Sequence, residues 1–185
     1  MLGGGVPAGG AGVAVILLRH TRPAVAEGVC YGRTDLDLGP CFAAEAARLA
    51  DALPPVTQVV TSPLSRCHRL AQAIATARAL PLRIDPRLIE MDFGRWEGVA
   101  WDAIPRAEID AWAADLLHAR PHGGETVAEM ATRAAAALAD LARGPSPVLA
   151  VTHAGILKAV HATRDGPEAW HRPFPFASWQ VIDGP

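Results

Sequence analysis

The sequence predicts an α/β protein, a three-layer α/β/α sandwich around a mainly parallel central sheet. Three observations carry this. Short apolar, β-branched runs alternate with longer runs of helical spacing, the order of parallel βαβ units. The run at 13–18 has the continuous apolar core of a strand covered on both faces, and the runs at 56–61 and 147–152 read as further strands. Each run ends in polar residues that do not belong to a core: Arg19 and His20, Ser62 to Arg66, and Thr152 and His153. In open α/β sheets, ligands bind outside the carboxyl ends of the strands, so three distant segments are expected at one pocket.

The elements follow in order. Residues 13–18 form the first strand, β-branched at Val13, Val15 and Ile16. Residues 21–38, with Gly28 and Gly32, read as a loop. Phe42, Ala46, Leu49 and Leu53 recur at helical spacing in 41–53, and Pro54 and Pro55 stop that helix. Residues 56–61 are the second strand. Ser62 as N-cap and Pro63 in the first turn predict a helix to about Leu80. Residues 82–84 are a short edge strand, and 86–100 a loop rich in charged and aromatic side chains. A helix over 101–118 is interrupted at Pro105. Gly123, Gly124, Glu125 and Thr126 precede a helix over 127–143. The strand at 147–152 runs straight into His153, Ala154 and Gly155 and a helix to about Ala162. A proline-rich loop at 164–176 and a last strand at 177–182 close the chain.

Half of the 185 residues are hydrophobic, enough for one domain over 13–185, preceded by a flexible glycine-rich leader at 1–12. A net charge of −2 announces no broad basic face, so no nucleic acid is expected as partner. No apolar run reaches membrane-spanning length, so no membrane is expected either. Cys30, Cys41 and Cys67 form no CxxC pair and read as reduced thiols. With no signal-peptide pattern at the start, they predict a cytoplasmic protein with no metal site.

The polar strand ends suit phosphoryl chemistry. A neutral imidazole at His20, with a free pKa of about 6.5, can attack phosphorus and hold the phosphoryl group. Arg19 beside it offers a planar fork for phosphate oxygens. Arg66 falls in the first turn of a helix, where a cation is unfavourable unless an anion offsets it. His153, in the turn between a strand and a helix, can face the same anion and as a cation would stabilise its charge. A leaving alkoxide needs a proton, and Glu90, Asp92 and Glu97 are all candidates by chemistry; spacing does not choose among them. Each feature alone is commonplace, and only the set is specific.

In order, the segments LLRHT, TSPLSRC, IEMDFGRWEG, GGET and VTHAG resemble the histidine phosphatase superfamily, also called phosphoglycerate-mutase-like. The resemblance runs from residue 13 to about 160. It implies His20 as nucleophile, with Arg19, Arg66 and His153 completing a phosphate pocket, Glu90 as proton donor, and no metal or other cofactor. RHTRP and YGRTDL look most like the alpha-ribazole phosphatase branch, which implies Arg33 and Thr34 near the phosphate or the substrate. Thr21 departs from the family's usual glycine; its side chain narrows the backbone's approach or its hydroxyl bonds nearby. The implied partner is a small phosphorylated metabolite, handled by a monomer or homodimer. The alternatives are a broad-specificity small-molecule or phosphoprotein phosphatase, and, lower, a cofactor-dependent phosphoglycerate mutase, disfavoured by the modest segment between Glu97 and Gly124. His122 reads as structural or solvent-facing, with a place at the pocket mouth as the alternative; His68, His118, His161 and His171 have no assigned function; and Trp96, Trp101 and Trp112 read as packing residues, with a wall for an aromatic substrate as the alternative.

Overall fold

Alternation within the first strand decides the layers. In β1 (Val15–Arg19), Val15 and Leu17 face one side of the sheet, and Ile16 and Leu18 the other. All four are at most 2% exposed, each contributing roughly 1.5–3 kcal/mol of burial. The first pair packs with α4 (Val127–Arg143) and α5 (Ala154–Asp165). The second packs with α1 (Phe42–Ala52) and α2 (Ser65–Ala77). The result is the expected α/β/α sandwich. The computed structural model describes residues 14–182, and the leader expected at 1–12 lies outside the described residues.

The sheet has the order β3-β2-β4-β1-β5, with β2 (Gln58–Thr61), β3 (Leu82–Ile84), β4 (Val148–Thr152) and β5 (Trp179–Ile182). All pairings are parallel except β5 against β1. No helix among the described residues is long and apolar enough to cross a membrane.

Register brings the candidate residues together. Arg19 pairs with Thr152, and the His20 N–H donates to the Thr152 carbonyl at 3.0 Å. His20 and His153 therefore leave neighbouring parallel strands side by side. On the other flank of β4, the Ser62 N–H donates to Val151 O at 3.0 Å, which delivers Ser62 beside His153.

Several element boundaries differ from expectation. Ser62 does not cap α2, whose cap position is Leu64, with no side-chain bond. Asp35, far away in sequence, accepts instead from the Ser65 N–H at 2.8 Å and hydroxyl at 2.7 Å. That remote carboxylate supplies the negative charge a helix N-terminus favours. The same helix ends at Ala77 rather than near Leu80, where the Arg78 guanidinium gathers the carbonyls of Ala50, Leu53 and Pro54. The stretch expected as a helix over 101–118 is a single 3-10 turn, Trp101–Ala103, followed by α3 (Arg106–Ala114) with Pro105 at its cap. Thr126 opens α4 by a reciprocal capping box with Glu129.

Candidate active site

His20 is 2% exposed, and its ring centroid lies 5.1 Å from that of His153, which is fully buried. His20 Nδ1 is 2.7 Å from the Thr21 carbonyl. A carbonyl only accepts, so Nδ1 carries the proton and Nε2 keeps its lone pair. Burial, then Arg66 and more weakly Arg19, push the His20 pKa down to about 3, against the smaller opposing effect of the Thr21 carbonyl. The ring is therefore neutral near pH 7, with the Nε2 lone pair free. His153 Nε2 is 2.8 Å from Ser62 Oγ, and the Cys67 thiol packs against the ring at 3.4 Å. Burial, helped by His20 and Arg66, also holds His153 well below the usual imidazole range. The expectation of a cationic His153 is corrected: near pH 7 it is a neutral ring whose N–H can donate.

Arg66 is fully buried. Its guanidinium donates to Gly32 O at 2.6 Å and Thr34 O at 2.8 Å, while its Nε finds no partner. Arg19 donates to Phe174 O at 2.5 Å, lies 3.8 Å above the Phe176 ring, and also has a buried, unpartnered Nε. Among the described residues, neither arginine makes an ion pair with a carboxylate. Buried charges are normally paired. Two cations with unpartnered donors beside two neutral imidazoles make a cradle whose chemistry suits an anion.

Of the three carboxylates left open by chemistry, geometry separates two. Glu90 is half-buried and reaches the turn after β4, accepting from the Gly155 N–H at 3.1 Å and from Met91 N at 3.0 Å. It is close enough to act electrostatically on Arg19. A Cβ on Gly155 would sit 2.1 Å from Glu90 Oε1, so only glycine admits this approach. Glu97 has a different task. Burial alone would raise its carboxyl, but the Thr34 hydroxyl and the N–H groups of Arg33, Thr34 and Phe93 outweigh that and hold it below the usual range. It staples the segment whose carbonyls hold Arg66. Asp92 accepts from Gly94 N at 2.8 Å and lies 3.6 Å from Arg33.

Arg33 is exposed and turned to Asp92 and to Glu125, 3.3 Å away. Thr34 meets the cradle through its carbonyl, and its hydroxyl is committed to Glu97. Of the two alternatives for Thr21, the hydroxyl bond is not seen: the hydroxyl is buried with no partner among the described residues. His122 is buried among Phe93, Trp96 and Trp112, and its Nδ1 accepts from the Gly124 N–H, a packing role as expected.

Sequence reading missed three residues. Tyr31 lies under the Arg66 guanidinium at 5.4 Å and within electrostatic reach of Arg19 and Glu90. Phe176, in the proline-rich loop, packs 5.6 Å from the His20 ring. Arg133 on α4 gathers the carbonyls of Arg87, Ile89 and Glu90, fixing the segment that carries Glu90. Tyr31 lies within the YGRTDL motif, the one signal that pointed near it; Phe176 and Arg133 had none.

The profile of the family described as histidine phosphatase superfamily (branch 1) matches residues 15–184. The chain belongs to the histidine phosphatase superfamily. It is a phosphatase of that superfamily, a phosphoric monoester hydrolase by class. Among its relatives is glucosyl-3-phosphoglycerate phosphatase of Mycobacterium tuberculosis, 29% identical over 188 residues, covering 92% of this chain and 80% of the relative. Adenosylcobalamin/alpha-ribazole phosphatase of Escherichia coli is 31% identical over 133 residues, covering 68% of this chain and 66% of the relative. The crystal structure of the alpha-ribazole phosphatase from Shigella flexneri superposes with a TM-score of 0.81 at 28% identity, covering 92% and 90% of the two chains. This histidine phosphatase thus shares its fold with both kinds of enzyme.

Proposed function

We propose that this protein hydrolyses phosphomonoesters through a phosphorylated His20, and that its substrate is alpha-ribazole 5′-phosphate. The observation that carries the first part is the pairing of a neutral His20, its Nδ1–H spent on Thr21 O, with the buried Arg66 and the part-buried Arg19, each with a buried unpartnered Nε and neither in an ion pair among the described residues. His20 Nε2 attacks phosphorus in line with the ester oxygen. Arg19, Arg66 and the N–H of His153 take the equatorial oxygens as charge spreads over them. Glu90 gives its proton to the leaving oxygen, the P–O bond breaks, and the alcohol departs. A water then gives its proton back to Glu90, attacks phospho-His20 and releases inorganic phosphate.

The substrate rests on RHTRP and YGRTDL and on the alpha-ribazole phosphatases among the relatives and solved structures. A panel of phosphomonoesters containing alpha-ribazole 5′-phosphate and glucosyl-3-phosphoglycerate tests it. Alpha-ribazole 5′-phosphate is expected to give the highest kcat/KM, and preference for glucosyl-3-phosphoglycerate would reject that substrate. His20→Ala and His20→Gln are expected to lose at least ~10⁴-fold in kcat on every ester. Retained turnover in either variant would reject His20 as nucleophile.

A further inference from the structure

Glu90 also forms part of the wall of a cavity of about 350 Å³, a volume in the range of small-molecule sites. Four aromatic rings line it: Phe93, Trp101, Trp112 and Trp170. Trp101 and Trp112 stack, with planes 18° apart. Apart from Glu90, the one charged side chain on the wall is Lys158, and the remaining lining is aliphatic, methionine or glycine. Lys158 is the only lysine of the sequence, lies half-buried on α5, and has no ion-pair or hydrogen-bond partner among the described residues. The indole N–H of Trp112 is likewise buried without an acceptor.

We propose that this cavity is the leaving-group subsite, and that it takes a flat aromatic body bearing a hydrogen-bond acceptor that faces Lys158. The inference rests on the phosphatase reading of the same site. Glu90 joins the two parts, since it touches the turn beside His153 and also lines the cavity. A proton donor must stand at the ester oxygen, so what lies beyond Glu90 from the cradle is the alcohol part of the substrate. The wall chooses among alcohols. A leaving group that is sugar alone, with no ring system attached, brings several hydroxyls, and this lining offers them few partners; buried hydroxyls left unpaired are rejected strongly. A planar ring system buries its faces against tryptophan without that cost. Lys158, an unpaired cation at an apolar wall, supplies the single polar reading point, and an acceptor on the ring edge satisfies it.

The test compares alkyl esters, which keep the leaving oxygen's basicity nearly constant: ethyl phosphate, naphthylethyl phosphate, the ring isomers of quinolinylethyl phosphate, and glucosyl-3-phosphoglycerate. Naphthylethyl phosphate is expected to exceed ethyl phosphate in kcat/KM by ~10–100-fold. At least one quinoline isomer is expected to exceed naphthalene by several-fold. Trp112→Ala and Trp170→Leu are each expected to shrink the naphthyl-to-ethyl ratio, and Lys158→Met to remove the quinoline-to-naphthyl ratio. Equal kcat/KM for ethyl and naphthylethyl esters, or preference for the glucosyl ester, overturns the proposal while leaving the phosphatase reading intact. A quinoline preference that survives Lys158→Met overturns the role of Lys158. Turnover of none of the esters, ethyl phosphate included, sinks the phosphatase reading and this inference with it.

Discussion

At His20, burial and neighbouring arginines work against protonation, and that sets the pH behaviour of the chemistry. With its pKa pushed down to about 3, His20 stays neutral well into the acid range. The acid limb of kcat/KM then belongs to the substrate, whose second phosphate ionisation lies near ~6. Two esters with different second ionisations are expected to show acid limbs displaced by the same difference. A limb fixed near the ordinary imidazole value for both would contradict the neutral His20. Glu90 depends on one glycine: Gly155→Ala drives its carboxylate from the turn beside His153. The expected loss is ~10²-fold in kcat for alkyl esters and much less for p-nitrophenyl phosphate, whose leaving group needs no proton. An equal loss on both esters would assign Glu90 another task. Residue type and position made His20, Arg19, Arg66 and His153 legible in the sequence, because each stands where a buried strand or capped helix begins or ends. Choosing Glu90 over Glu97 was not legible from spacing. The choice shows only in what each carboxylate accepts from, Gly155 in one case and the 33–34 backbone in the other.

Among the elements, the parallel strands were readable because a doubly buried strand needs a continuous apolar run. Their register then follows from the sheet, and it alone puts His20 beside His153. The loop over 31–34 was not readable in the same way. Its shape comes from Glu97, more than sixty residues away, and from Gly32, where a Cβ would stand 1.9 Å from Met91 O. For the same reason the cap of α2 was misassigned to Ser62. A local serine competes with a remote Asp35, and the sequence shows only the local one. Glu97→Gln tests the staple. Losing the carboxylate removes charge-assisted bonds of about 1.5–3 kcal/mol each, and the carbonyls that hold Arg66 lose their anchor. Inhibition by inorganic phosphate is expected to weaken by ~10-fold, read as the competitive inhibition constant. An unchanged constant would mean that Arg66 is held without the staple.

For the whole molecule, two cores share one sheet, and His20 and His153 sit at its carboxyl edge with little access to water. That burial links stability to pH. His20 and His153 have folded pKa values below the unfolded value of about 6.5, so below that pH the unfolded chain binds protons the folded chain refuses. Their contribution is complete above about 6.5 and is lost as pH falls towards the folded values, by up to ~1.4 kcal/mol per pH unit for each ring. The midpoint of urea unfolding is expected to drop from pH 7 to pH 4.5, and His20→Asn to shrink that drop; equal drops would remove His20 from the linkage. The three layers were legible before any coordinates, because alternation and strand–helix order fix them. The aromatic cavity was legible only as the alternative role of Trp101 and Trp112; its assembly with Phe93 and Trp170 was not, because these residues come from loops and short helices whose packing no periodicity records. The central claim is that a phosphoryl group passes through His20. Rapid acid-free quenching of the enzyme during turnover of a radiolabelled ester, followed by peptide mapping, tests it most directly. The label is predicted on the peptide containing His20, as an acid-labile, base-stable adduct that is absent from His20→Ala. Label on another residue, or label that persists on histidine in that variant, would contradict it.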